Sequence, residues 1–405
     1  MMHPTLGAAL AGTRVLDFSQ GIAAPHGACL LAEMGADVVK VEPPADDWLR
    51  GLGVRRGDTS VLSGTFNRGK RGIAIDLRSP KGRDVALRLA TEADVLLESN
   101  RPGVMQRLGL DYEQVRAVNP GIVYASVTGF GQQGPYRDRP ATDAAVQAYA
   151  GFSFGAGDMV EPIRVRIALV DVVTGVYLSQ AVLGALFQRL RTGVGQYLDI
   201  SLMHCITAMQ AYKYAEHQAT GGALRRELFA AIGLYRTADG YLALSAMREQ
   251  QVLDLIGLTG LAGILEDERF ASPAARFQNQ DALRSLIAER LAERPTAHWL
   301  PLMQKIDLIC QEVLTYDAYR KDPQVLESRL FQEVSLGAAG MLPSVRMPGL
   351  RLEETSSAPP PGVGQRGGGR STPPRDPWDP PPPQKNGHNR HFVGRIEDGG
   401  GCRTL

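Results

Sequence analysis

The segment IALVDVVTGVYLSQAVLGAL, residues 167–186, holds one carboxylate, Asp171, in an otherwise almost entirely apolar run. A charge in such surroundings is costly unless it is paired, caps a helix or does chemistry. Two accounts fit the residues. Asp171 precedes VVT as an N-cap would, its oxygen accepting from a backbone N–H two or three residues on. Alternatively it is a poorly hydrated nucleophile, ionised with help from a helix start, that attacks an activated acyl group to form a mixed anhydride. The residues alone leave both open.

Other residues suit an anionic ligand. The turn FSQGIAAPHG has small residues at Gly21, Ala23 and Ala24, so a ligand can approach the backbone, and a helix start behind them favours negative charge. It has a single early glycine, and so lacks the G-x-G-x-x-G of a dinucleotide site. Basic residues follow later strands: Arg68, Lys70 and Arg71 in NRGKRG, then Arg78, Arg101 and Arg107. Each alone is more ordinarily a surface ion pair; together with the turn they fit a nucleotide diphosphate or a phosphate-bearing thioester. No metal is expected. There is no His-Glu-x-x-His, no cysteine pair with ligand spacing, and the seven histidines do not cluster.

The elements that must position these groups alternate regularly. RVLDFS (14–19) reads as a strand, PHGACLLAEMG (25–35) as a helix and DVVKVE (37–42) as a second strand, which is a βαβ unit and implies a parallel sheet. GIAIDL (72–77), a helix from Pro80 to Ala93, DVLLES (94–99), GIVYASVTG (121–129), a helix from Asp171 to about Arg191 and YLDISLM (197–203) continue the pattern. The class is α/β, with a Rossmann-like open sheet in a large domain over 1–225. GLYRTADGYLALSAM (233–247) carries an Asp239-Gly240 hairpin turn, and helical patterns follow, so 226–325 reads as a smaller α+β domain. Residues 326–365 are expected to return to the large domain. The Gly- and Pro-rich segment 366–405 has too little apolar surface to order itself.

Composition bounds the rest. The chain has 405 residues, 44% hydrophobic and 21% charged, with formal net charge +1. That is enough for two cores, and it argues against a general nucleic-acid partner, which would need a basic face. The N-terminus lacks the pattern of a signal peptide, and no run reaches the ~18 uninterrupted apolar residues of a membrane span. A cytoplasmic protein without a membrane partner is expected. Cys29, Cys205, Cys310 and Cys402 are scattered and read as bystanders.

An ordered string of motifs carries a resemblance. RVLDFSQGIAAPHGACLLAEMGADVVKVEPP, NRGKRGIAIDLRSPKGR, RPGVMQRLGLDYEQV, NPGIVYASVTGFGQQGPYRDRPATD and DVVTGVYLSQAVLGALFQRLRTGVGQYLDISL resemble the class III CoA-transferases, the CaiB/BaiF group, from about residue 12 to about 365. The resemblance implies a Rossmann-like large domain, a small domain on two linkers, and a homodimer of interlocked rings. It implies CoA or acyl-CoA as substrate beside a carboxylic acid acceptor. It places the catalytic aspartate at Asp171, passing through an aspartyl anhydride and an aspartyl-CoA thioester. It puts CoA contacts at Ile22, Ala23, Ile75, Arg78, Ser99, Asn100, Arg101 and Arg107, and Asp143 along the pantetheine channel.

Departures narrow the reading. Ile22 stands where formyl-CoA transferases carry glutamine, which speaks against oxalate and formate, and only Gly221, Gly222 and Gly233 stand near their tetraglycine lid. Thr142 replaces the histidine that related racemases use as an acid/base, which lowers the acyl-CoA racemase or epimerase alternative. A CoA-binding protein without turnover is the other alternative. After Gln365 the chain departs from the family's ending, as a shifted reading frame or an unusual extension would.

Overall fold

In a computed structural model the described residues are 6–57, 59–157, 161–222, 229–335, 340–350, 378, 394–396 and 403–404. They fall into two compact units, one built on Met1–Tyr214 with the chain from Arg329 onward, the other on Ala215–Ser328.

The first unit is organised by parallel strands β1 (Arg14–Asp17), β2 (Asp37–Glu42), β3 (Arg71–Ile75), β4 (Val95–Glu98), β5 (Val123–Thr128) and β6 (Gln196–Ser201). Their order across the sheet is β3-β2-β1-β4-β5-β6, the doubly wound arrangement in which the topology reverses between β1 and β4. The strands are apolar on both faces because both are covered. On one face Val15, Val95, Leu97, Val123 and Ala125 pack under helices α1 (Ala23–Glu33) and α6 (Leu169–Thr192). On the other, Leu16, Val39, Ile75, Leu96 and Tyr124 pack with α2 (Pro80–Glu92), α3 (Val104–Leu108) and α4 (Tyr112–Val118).

Local chemistry sets the helix starts. Ser79 accepts from Gly82 N–H ahead of Pro80, and Asp111 and Gln114 form a reciprocal capping box for α4. Helix α6 ends at Gly193, whose φ of +73° suits a residue without Cβ. By length and composition α6 could cross a membrane, yet Val170, Leu178, Val182 and Leu186 are buried in the core.

Helices α1 and α6 pack closely enough to require glycine. A Cβ at Gly175 would lie 2.7 Å from His26 Cδ2 and 2.8 Å from Ala23 O; one at Gly27 would lie 2.7 Å from Leu178 Cδ2. Residues near the start of α1 thus face the first turns of α6, and the two helices run in the same direction.

Phe331–Ser335 and Met341–Val345 form an antiparallel hairpin. Glu33 accepts from Met347 N–H at 2.9 Å, which ties this returning segment to α1. The expected disorder of 366–405 lies mostly outside the described residues, but the structure differs at three places. Gly394–Ile396 pairs in parallel with β3, Arg403–Thr404 pairs with Gly394–Ile396, and Trp378 is buried under the Arg14 guanidinium. The open edge of β3 offers unpaired backbone groups, and an indole carries enough apolar surface to anchor a polar segment.

The second unit has an antiparallel sheet in the order Ile309–Glu312, Tyr241–Ser245, Gly233–Arg236. Leu242 and Leu244 pack against Leu255, Leu283, Ile287, Trp299 and Met303 from its helices.

Candidate functional site

Asp171 is not a helix cap. Ala168 occupies the N-cap position and Asp171 is the third residue of α6. The cap comes from Asp143, the first residue of helix α5 (Asp143–Tyr149), whose Oδ2 accepts from the N–H groups of Val170 (2.7 Å) and Asp171 (3.2 Å). Its Oδ1 accepts from Gln147 Nε2 at 2.6 Å, and Gln147 in turn holds both the N–H (3.0 Å) and the carbonyl (3.2 Å) of Val165. The segment leading into α6 is therefore pinned to α5 by one buried glutamine and one carboxylate. With its helix amides already satisfied, the Asp171 carboxyl is left without a hydrogen bond among the described residues, and the side chain is half-buried.

Burial, with the Asp143 charge beside it, pushes the Asp171 carboxyl up to about 7. The direction is opposite to the expectation that a helix start would favour the ionised form; burial and a like charge both favour the protonated carboxyl. A carboxylate with such proton affinity is a better nucleophile than an ordinary one.

Around the switch between β1 and β4, the loops that follow these strands are joined. Gln20 N–H donates to Ser99 Oγ at 2.9 Å, and Ser99 Oγ donates back to the Gln20 carbonyl at 3.2 Å. Ile22 is the half-buried N-cap residue of α1 and Ala23 its buried first residue. Ser99 and Asn100 are half-buried, Arg101 is exposed, and Asn100 N–H donates to Glu98 Oε2 at 2.7 Å. The two loops beyond the carboxyl ends of β1 and β4, which carry Ile22 and Ala23 and Ser99, Asn100 and Arg101, thus meet where open α/β sheets bind ligands. Asp143 and Asp171 meet each other directly. The remaining residues stand differently. Ile75 turns its side chain into the core at 1% exposure, and at the sheet edge it stands opposite Ile396. Arg78 is exposed and pairs with Asp76 at 3.0 Å, and Arg107 is exposed. Thr142 caps α5 through Ala145 N–H.

A buried ionic cluster shapes the turn after β1. Lys70 Nζ reaches Asp17 at 2.9 Å and Lys40 Nζ reaches Asp47 at 3.0 Å, all four side chains fully buried. Lys40 also donates to the Ser19 carbonyl and Lys70 to the Pro25 carbonyl. Burial pushes Asp17 up, but Lys70 and Lys40 outweigh it and hold the carboxyl below its usual range. So Lys70 of NRGKRG is a strut of the turn and is not free to meet a ligand. Arg68 and Arg71 likewise pair, with Glu33 and Asp37. Asp47 Oδ1 accepts from Gly21 N–H at 3.4 Å, and at φ +81° Gly21 brings its backbone under the Trp48 ring, 2.8 Å from where a Cβ would lie. Against α6, burial, then Arg68 and Lys70, push the His26 imidazole down to about 4.

Reading of the sequence missed Gln147 and Gly175. The signals were faint: each stands four residues after a carboxylate on its own helix, Gln147 after Asp143 and Gly175 after Asp171.

Comparison with known proteins follows the same outline. The model of CoA-transferase family III matches residues 10–367. The succinate–glutarate CoA-transferase of Agrobacterium fabrum is 32% identical, with 84% of this chain and 88% of the relative covered. The acetyl-CoA:oxalate CoA-transferase of Acetobacter aceti is 33% identical over 73% of this chain and 78% of its own length. Among solved structures, a CaiB/BaiF family protein from Brucella suis superposes with a TM-score of 0.77 at 31% identity, covering 87% of this chain and 96% of that one.

Proposed function

Because this chain belongs to CoA-transferase family III, an enzyme family acting on CoA thioesters, we propose that Asp171 is the nucleophile that moves CoA from one carboxylic acid to another. The ionised carboxylate attacks the thioester carbonyl of the donor, and the tetrahedral adduct expels CoA thiolate to leave an acyl–aspartyl anhydride. The thiolate then attacks the aspartyl carbonyl. The donor acid departs as its carboxylate, and an aspartyl-CoA thioester remains. The acceptor carboxylate repeats the two displacements in reverse and restores Asp171. The steps alternate, one breaking an acyl–sulfur bond to form an acyl–oxygen bond and the next doing the reverse, and no redox partner is needed.

One observation carries this reading: a half-buried carboxyl at the start of α6, its helix amides satisfied by another side chain, with affinity raised toward neutrality. On the same reading CoA lies over the loops after β1 and β4 against Ile22, Ala23 and Ser99 to Arg101, with Ile75, Arg78 and Arg107 toward the nucleotide and Asp143 along the pantetheine path. The protein acts in the cytoplasm as a homodimer. The exposed apolar side chains Val176, Phe187 and Leu190 along α6, with Val194 just beyond it, support the second copy.

The test is trapping. Full-length protein is mixed with a panel of acyl-CoAs, quenched with hydroxylamine and mapped by mass spectrometry. A hydroxamate confined to the peptide containing Asp171 is expected. Acyl exchange with the label on another residue would overturn the assignment, and CoA binding with no exchange would mark a binding protein without turnover.

A further inference from the structure

On the sheet face opposite α1 and α6, a cavity of about 330 Å³ opens between α3, α4 and strands β4 to β6. Side chains alternate across a strand, so Glu98, like Leu96, points away from the layer that holds Asp171. Its walls are Tyr112, Tyr124 and Tyr197, with ring centroids 5.4 to 5.9 Å apart, and Gln132 and Arg101 stand at the sides. Asp111 and Glu113 also line it.

The floor is unusual for this protein. Among the described residues the buried acidic side chains are Asp17, Glu33, Glu42, Asp47 and Glu98. Asp17 pairs with Lys70, Glu33 with Arg68, Glu42 with Arg50 and Asp47 with Lys40. Glu98, at 4% exposure, pairs with no cation among the described residues. Asn100 N–H donates to it, the Ser126 hydroxyl lies within hydrogen-bond reach, and burial pushes its carboxyl up. An uncompensated carboxyl in an open cavity walled by aromatic rings is a place where a cation gains both a counter-charge and ring faces.

We propose that this cavity binds a small organic ammonium ion, its charge against Glu98 and its apolar body against Tyr124 and Tyr197, on the sheet face away from Asp171 and with Arg101 at the border it shares with the proposed CoA path. Binding there would brace the segment Ser99 to Arg101, because Glu98 holds the Asn100 amide.

The probe is benzylamine, titrated calorimetrically into the full chain, with benzyl alcohol as the neutral isostere. Saturable binding of benzylamine is expected, at least about tenfold tighter than benzyl alcohol, and weakened at least about tenfold by Glu98→Gln. Glutamine keeps an acceptor for the Asn100 amide, and circular dichroism reports whether the variant folds. Tyr197→Ala, at a 37% exposed ring that folding tolerates better, should weaken benzylamine comparably. Absence of saturable binding, equal binding of the alcohol, or unchanged affinity in both variants would overturn the proposal. So would competitive displacement of benzylamine by CoA, which would make the cavity part of the thioester groove.

Discussion

At Asp171 the affinity of one carboxyl for its proton governs when the proposed reaction can begin. Attack requires the ionised form, so the rate of acyl transfer should rise with pH through a midpoint of about 7. A profile flat from pH 5 to 9, measured by acyl exchange, would show that this ionisation does not limit the reaction. The same shift acts on stability with the opposite sign. The folded pKa lies above the unfolded value of 3.8, so between about pH 4 and 7 the folded state keeps a proton that the unfolded chain has lost. Stability therefore falls as pH rises across that window and levels off above it. Asp171→Asn should abolish transfer, on the order of 10⁴-fold, and should be more stable than the parent at pH 8 but not at pH 4. The gain is at most about 4 kcal/mol, and solvent reaching the half-buried group reduces it. Urea unfolding at the two pH values checks this.

At the scale of elements, α5 and α6 act as one device through Asp143. Asp143→Asn keeps an acceptor for the α6 amides but removes the like charge, so the midpoint of the pH–rate profile should move to lower pH, while losing the acceptor for Gln147 Nε2 should cost about 1–3 kcal/mol. Asp143→Ala also loses the cap and should cost about 0.5–2 kcal/mol more in urea unfolding. If the asparagine variant left the midpoint in place, the charge of Asp143 would not be felt at Asp171. The turn after β1 depends on a different pairing. Lys70→Met leaves Asp17 buried without its partner, which should destabilise by about 3–5 kcal/mol. A loss under 1 kcal/mol would mean that Lys40 alone neutralises Asp17. Much at this scale was readable beforehand. Short segments of six to nine residues alternating with helical patterns marked the strands, and Pro80 marked a helix start that the structure keeps; the capping box of Asp111 and Gln114 went unread. The start of α6 was misplaced, because its cap comes from 28 residues away and not from its own sequence.

For the molecule as a whole, the open question is how many copies act together. The exposed apolar side of α6 leads us to expect a dimer, about twice 43.8 kDa by sedimentation. Leu190, 82% exposed, is the side chain to test: Leu190→Glu should shift the equilibrium toward monomer while leaving the circular dichroism spectrum unchanged. A parent chain that sediments as a monomer at micromolar concentration would sink this expectation. The resemblance carried the fold, because a string of ordered motifs constrains a whole topology. It did not carry the tail, where Trp378, Gly394–Ile396 and Arg403–Thr404 find partners on the first unit despite a composition that resists order.

What this sequence by itself determined was local or repetitive: the alternation of strand and helix, the anomaly of one acid in an apolar run, the absence of a glycine fingerprint. Those follow from hydrophobic period and backbone preference, which act over a few residues. Tertiary structure alone decided which groups are partners and how dry they are. Asp143 capping Asp171's helix, Lys70 neutralising Asp17 across 53 residues, and Glu98 standing without a cation among the described residues are all matters of distance through space. Proton affinity depends on excluded solvent and nearby charge, and neither exists until the chain has packed.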